Sequence, residues 1–229
     1  MNNKGINTGL ALLVASSLSL PLVADQEYLE VDSFKGIDLG TGMNAEVVCG
    51  SKNTVTLTAR KMILDRLEVS IKGGHLEISR HTSASHILNK IFGDEQEQDN
   101  SVTVNIETTS ALSIIEGSTG SMIKVDSCAI NSSALKVDAG TGASIQIEGS
   151  TGALELNLST GSVFNNSSSQ FTVDSVEVDM STGSKANLCG ANTIRGSAST
   201  GAVIKAGEGS MTEDVSLSLG AEVHKNKCR

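Results

Sequence analysis

"LKVDAGTGASIQIEGSTGALELNLSTGS", residues 135–162, carries the pattern from which the rest of the chain can be read. Val137 and Ala139 precede Gly142, Ile145 and Ile147 follow it, and the polar Asp138 and Gln146 stand between the members of each pair. Leu156 and Leu158 then approach Gly161 with the same spacing around Asn157. Strict alternation of this kind describes a strand with one buried face, and here such a strand lies on either side of a glycine corner.

Working outward, the Ser-Thr-Gly tripeptide or a near variant ends at Gly42, Gly120, Gly142, Gly161, Gly183 and Gly201, and in degenerate form at Gly220. From Gly120 onward the steps are 22, 19, 22, 18 and 19 residues, with an extra copy out of phase at Gly152. A period near twenty residues, with short strands and a glycine at each corner, is the mark of a solenoid. No single period can bury its apolar face, whereas stacking coils about 4.8 Å apart pairs each strand with its neighbour and encloses one core. Antiparallel hairpins would invert strand direction without keeping the motif-to-strand order, which disfavours a sandwich. The expected fold class is therefore all-β, a parallel β-helix with coils of about 20 residues and Ser-Thr-Gly corners.

The corners make specific demands. Glycine adopts positive φ without a Cβ clash, so Gly42, Gly120, Gly142, Gly161, Gly183 and Gly201 are expected to be structural, with a side chain there also crowding the corners above and below. The preceding residues form a ladder, Thr41, Thr119, Thr141, Thr160, Thr182 and Thr200. Hydroxyls at such positions can bond nearby backbone groups. Because the row sits at a bend, it reads as a turn-lining stack and not as a flat ice-binding array.

The N-terminal third is less regular. Strands are expected at 28–39, 43–49, 54–60, 66–71 and 75–79, with Gly73-Gly74 as a tight turn. Residues 80–100, "RHTSASHILNKIFGDEQEQDN", break the pattern as an insertion, with a short helix around Ser85 to Phe92 and an acidic loop after it. Before all of this, Lys4, the apolar run from Gly9 to Leu20 and the small Ala24 form the layout of a secretory signal cleaved after Ala24. Its apolar part is too short to span a bilayer. The organisation expected is thus a signal at 1–24 and one β-helix domain at 25–229, exported to the periplasm, the cell surface or the medium. No cysteine follows Ala24 to carry a lipid anchor.

At "VTVNIETTSALSIIEGSTGSMIKVDSC" (102–128), followed by the repeated corners, the sequence resembles the exported bacterial family called putative auto-transporter adhesin, head GIN domain. "FKGIDLGTGMNAEVVCGSKNTVTLTA" (34–59), "LEVSIKGGHLEIS" (67–79) and the insertion before residue 101 fit that family's order of parts, from about residue 28 to 223. The resemblance implies a right-handed β-helix at the cell surface or in the periplasm. It implies no catalytic or binding residue set.

Function is bounded mainly by what the chain lacks. A formal net charge of −9 disfavours nucleic acid and anionic membranes as partners. With four Phe, one Tyr and no Trp, aromatic platforms for sugar rings are poorly supplied. The four cysteines permit two disulfides in three pairings. Cys128 and Cys189 lie about three coils apart, roughly 14 Å at the inter-strand spacing, too far for a bridge, and Cys228 is the expected partner of Cys189. His81 and His86 with Asp94, Glu95, Glu97 and Asp99 read as a solvated acidic loop, so no metal and no cofactor is expected. Asp126, Glu155, Glu177 and Asp179 fall on outward faces, but no matched set of acids with a lysine or arginine is seen to recur across adjacent coils, as a polysaccharide-cleaving enzyme would need. The resulting expectation is a non-enzymatic envelope or surface protein, adhesin-like, presenting a rigid, acidic, hydroxyl-rich face to a glycan or an envelope protein. An enzyme acting on an envelope polysaccharide is the alternative. A self-assembling structural protein, pairing through uncapped end strands, is the third reading, against which the basic tail His224 to Arg229 counts.

Overall fold

The computed structural model describes residues 24–81, 101–165 and 170–227. The expected signal up to residue 23, nearly all of the 80–100 insertion and Cys228 therefore lie outside the described residues.

Seven strands precede the regular coils: β1 (Asp25–Glu30), β2 (Gly36–Leu39), β3 (Met43–Cys49), β4 (Thr54–Ala59), β5 (Leu67–Lys72), β6 (His75–Arg80) and β7 (Val102–Thr108). One helical turn, α1 (Lys61–Leu64), joins β4 to β5. The chain then alternates between two sheets through β8 (Ile114–Gly117), β9 (Met122–Val125), β10 (Asn131–Ala139), β11 (Ser144–Ile147), β12 (Gly149–Leu158) and β13 (Val163–Phe164). It continues with β14 (Phe171–Met180), β15 (Lys185–Leu188), β16 (Ala191–Ala198), β17 (Val203–Gly207), β18 (Val215–Leu217) and β19 (Glu222–Asn226). Sheet A runs β1-β4-β7-β3-β9-β11-β13-β15-β17-β19, and sheet B runs β18-β16-β14-β12-β10-β8-β2-β6-β5. From β8 on, every pairing is parallel and in matching register, so this part is a β-solenoid in which each coil gives one strand to each sheet.

Stacking order departs from chain order. The β2–β3 coil lies between β6–β7 and β8–β9, because β2 pairs with both β6 and β8 while β3 pairs with both β7 and β9. The stretch read as one strand over 28–39 is two: β1 runs antiparallel to β4, and β2 enters sheet B after a break at which Phe34 is buried. At this end the stack is closed by antiparallel β5 on β6, by β4 on β7 and by α1, whose Ile63 and Leu64 are buried. The helical turn was not foreshadowed by periodicity, since four residues are too few to show one.

Inward residues of both sheets form one core. Sheet B contributes rows such as Val137, Leu156 and Val178, and sheet A the row Ile145, Phe164, Ala186 and Ile204, in which a large ring is followed by a small methyl. Phe164 packs edge-to-face on Phe171 at 5.9 Å between ring centres. Strand β13 stops at two residues because Asn165 turns into the left-handed region (φ 47°). Its side-chain Oδ1 accepts the Ile147 N–H at 2.7 Å, taking the place of the missing backbone carbonyl.

Candidate binding face

The corners come first, because they hold the strands in lanes. Gly42, Gly120, Gly142, Gly161, Gly183 and Gly201 have φ between +65° and +70°. Each donates its N–H to a carbonyl one coil further on: Gly42 to Thr119, Gly120 to Thr141, Gly142 to Thr160, Gly161 to Thr182, Gly183 to Thr200 and Gly201 to Leu219, at 2.9–3.1 Å. The out-of-phase Gly152 lies inside β12, and Thr151 beside it is buried with its hydroxyl donated to Ser132 O at 2.9 Å. Two expectations need correction. A Cβ built on any of these corner glycines meets nothing within 4 Å, so the requirement is conformational and not one of crowding. The exposed hydroxyls of Thr41, Thr119, Thr141, Thr160, Thr182 and Thr200 bond to nothing among the described residues. Serines at the inner side of the turn do that work instead, Ser162 to Ser159 O and Ser184 to Ser181 O, both at 2.7 Å.

The outer face of sheet B gathers the functional groups. Parallel register sets Glu77, Asp38, Glu116, Asp138, Asn157, Asp179 and Ser197 in one row across seven strands. A second row, two residues earlier on each strand, reads Lys136, Glu155, Glu177, Arg195, and a third reads Ala134, Ala153, Ser175, Thr193. Ala134, Ala153 and Ser175 of the third row line an open groove of about 830 Å³ together with side chains of the two polar rows, which form its wall.

The wall is internally bonded. Lys136 Nζ lies 3.1 Å from Asp138 and 3.8 Å from Glu155, and Asn157 donates to Asp138 Oδ1 at 2.6 Å. One coil on, Arg195 pairs with Glu177 at 3.2 Å and Ser197 donates to Asp179 Oδ1 at 3.1 Å. Cations hold the two ends of the second row, while Glu155 and Glu177 stand side by side in its middle. Further along the first row, burial raises the Asp38 carboxyl above its ordinary value, Glu77 adds to the rise, and His75 and Lys72 oppose it. Glu116 is raised by burial and then by Asp38 and Asp138.

Of the acids picked out from sequence, Glu155, Glu177 and Asp179 come together here, whereas Asp126 immediately precedes the short 3-10 turn after β9, at the far end of a sheet A strand. The expectation that acids and cations do not recur across adjacent coils is overturned by the Lys136-Glu155-Glu177-Arg195 row. Asp38 was missed because its adjacency to Glu116 depends on the displaced β2–β3 coil, whereas Glu116 and Asp138 are register partners on the regularly stacked β8 and β10. Among the described residues no group of three potential metal ligands occurs. His81 meets Glu68 and His224 meets Glu222 as isolated pairs, and His86 lies outside the described residues. Phe34, Phe164 and Phe171 are buried, so no aromatic ring among the described residues lines the groove. No described helix is long and apolar enough to cross a membrane.

Cys128, in the 3-10 turn that follows β9, bonds to Cys49 at the end of the adjacent strand β3, 79 residues away in sequence. Cys189 is also disulfide-bonded; Cys228, its expected partner, lies outside the described residues.

No curated protein matches this sequence. Among solved structures, a putative adhesin from Parabacteroides merdae superposes with a TM-score of 0.57 at 12% identity, over 89% of this chain and 96% of that one. A putative adhesin from Bacteroides fragilis gives 0.51 at 14% identity, over 89% and 95%. At these identities the likeness is one of fold. The family profile described as "Putative auto-transporter adhesin, head GIN domain" matches residues 33–208. That match covers most of the chain, and the chain belongs to this family of adhesin-like proteins.

Proposed function

We propose that this is a non-enzymatic, exported adhesin whose sheet B face holds a glycan or an envelope protein by many weak polar contacts. The observation that carries the proposal is the groove wall: donors and acceptors from four successive coils, already held in place, Lys136 and Asn157 by Asp138 and Glu177 by its pairing with Arg195. Side chains ordered before binding lose little rotamer freedom on contact, so a shallow polar surface can still hold a long partner. Export rests on the Lys4 to Ala24 layout, and mass spectrometry of the secreted or periplasmic form should find Asp25 as the first residue. The binding proposal is tested by a glycan array and an envelope pull-down with residues 25–229. Retention of a glycan or an envelope protein that Glu177→Lys weakens supports it, and no retention in either format refutes it.

A second reading rests on Glu155 and Glu177, which are register partners on β12 and β14. Two carboxylates on one face are what glycoside cleavage needs. Release of reducing ends from an envelope polysaccharide, lost in Glu155→Gln while binding persists, would favour the enzyme.

A further inference from the structure

The two ends of the stack are built differently. At the β5 end antiparallel strands and α1 lie across the core. At the other end the terminal strands β18 and β19 are parallel to their single neighbours and in the register used throughout the stack, and among the described residues no further strand pairs with either of them. Met211, Leu217 and Leu219 are 57%, 45% and 80% exposed around this mouth. An uncovered edge with apolar side chains beside it is a template for another strand.

One residue contradicts that template. Lys225 is the register partner of Ala206, which partners Leu188, and both of those are fully buried members of an inward, apolar lane. Lys225 therefore places an ammonium at a core position of the last coil. Its Nζ reaches 4.0 Å from Glu213 Oε1, on the segment that leads into β18, so the charged pair spans the mouth from one sheet toward the other. A further strand laid on β19 would cover this ammonium and strip its water while supplying only an already exposed carboxylate.

We propose that Lys225 is what prevents this end from pairing with a second copy of the chain. Because the terminal strands β1 and β5 of the opposite end run antiparallel to their neighbours and do not reproduce the parallel pair β18 and β19, association released by loss of the charge is end to end about a twofold axis and stops at a dimer. The adhesin face on sheet B is not involved, and its own failure would leave this inference standing.

The test is light scattering coupled to size exclusion on residues 25–229 over a wide dilution series. Wild type and Lys225→Arg are expected at the monomer mass, and Lys225→Val at twice that mass with an unchanged β-rich circular dichroism spectrum. Adding Leu217→Asp to Lys225→Val should return the monomer, which locates the contact at this mouth. If Lys225→Val does not fold, Lys225→Ser removes the charge without adding apolar surface and is read in the same way. A dimeric wild type, a folded but monomeric neutral variant, or a dimer that survives Leu217→Asp would each overturn the proposal.

Discussion

Replacing Gly161 separates the two ways in which a corner can require glycine. Its φ is +66°, and a Cβ there would meet nothing within 4 Å. Steric contact therefore contributes nothing, and the whole cost is that of holding an L-residue in the left-handed region, about 1–2 kcal/mol for alanine and up to about 3 kcal/mol for a β-branched residue. For a chain of this size that lowers the melting temperature by about 2–4 °C per kcal/mol. Asparagine tolerates the left-handed region, so the predicted order of stability at position 161 is glycine, asparagine, alanine, valine. Crowding would instead rank the variants by volume and put asparagine below alanine. Gly183→Val should behave like Gly161→Val. Gly209, with open space around it and no left-handed φ, is the control, and Gly209→Val should cost less than either. Thermal melts of the purified variants decide the matter: Gly161→Asn melting at or below Gly161→Ala, or Gly209→Val melting with Gly161→Val, would refute the conformational account.

Three further outcomes are expected. Thr200 alone in the threonine ladder has positive φ (40°), so Thr200→Asn should stabilise by about 0.5–1 kcal/mol while Thr160→Asn should not, as read by paired melts. Asp38 and Glu116 have folded-state pKa values raised above 3.8 and 4.5, so the native state is penalised once they ionise. That penalty is absent below the unfolded pKa, sets in as pH rises toward the folded one and is complete above it. Asp38→Asn and Glu116→Gln should accordingly raise the melting temperature at neutral pH and lose the advantage in melts at acidic pH. The Cys49–Cys128 bridge closes a separation of 79 residues, for which chain entropy gives about 4–5 kcal/mol; Cys49→Ser with Cys128→Ser should lower the denaturant midpoint accordingly, with native-like secondary structure below it.

Local features were legible because they are periodic. Val176, Val178 and Met180 alternate with acids and are buried, and the left-handed glycines stand where the tripeptide placed them. What escaped depends on contacts between distant segments. Nothing in the spacing of Ile37 and Leu39 reveals that β2 inserts between β6 and β8, and from that one displacement follow the placing of Asp38 beside Glu116 and the Cys49–Cys128 bridge. Glu155 and Glu177 were visible as outward acids, but their adjacency to Lys136 and Arg195 needed the register of four strands, which coil lengths varying from 18 to 22 residues do not specify. Lys225 looked like part of a basic tail, and only its pairing with Ala206 shows that it stands in an apolar lane.

The central claim, that sheet B binds through distributed polar contacts, is tested most directly by measuring the affinity of the retained glycan or envelope protein for a graded set of variants. Glu155→Gln, Glu177→Gln and Asp179→Asn are compared singly and together with the sheet A control Lys185→Ala and Lys205→Ala. Distributed contact predicts a modest loss for each sheet B change, roughly two- to fivefold at the strength of exposed polar pairs, with the losses compounding in the triple variant and the sheet A pair binding as wild type. Complete loss from one substitution with no effect from the others, or loss confined to the sheet A pair, would contradict it.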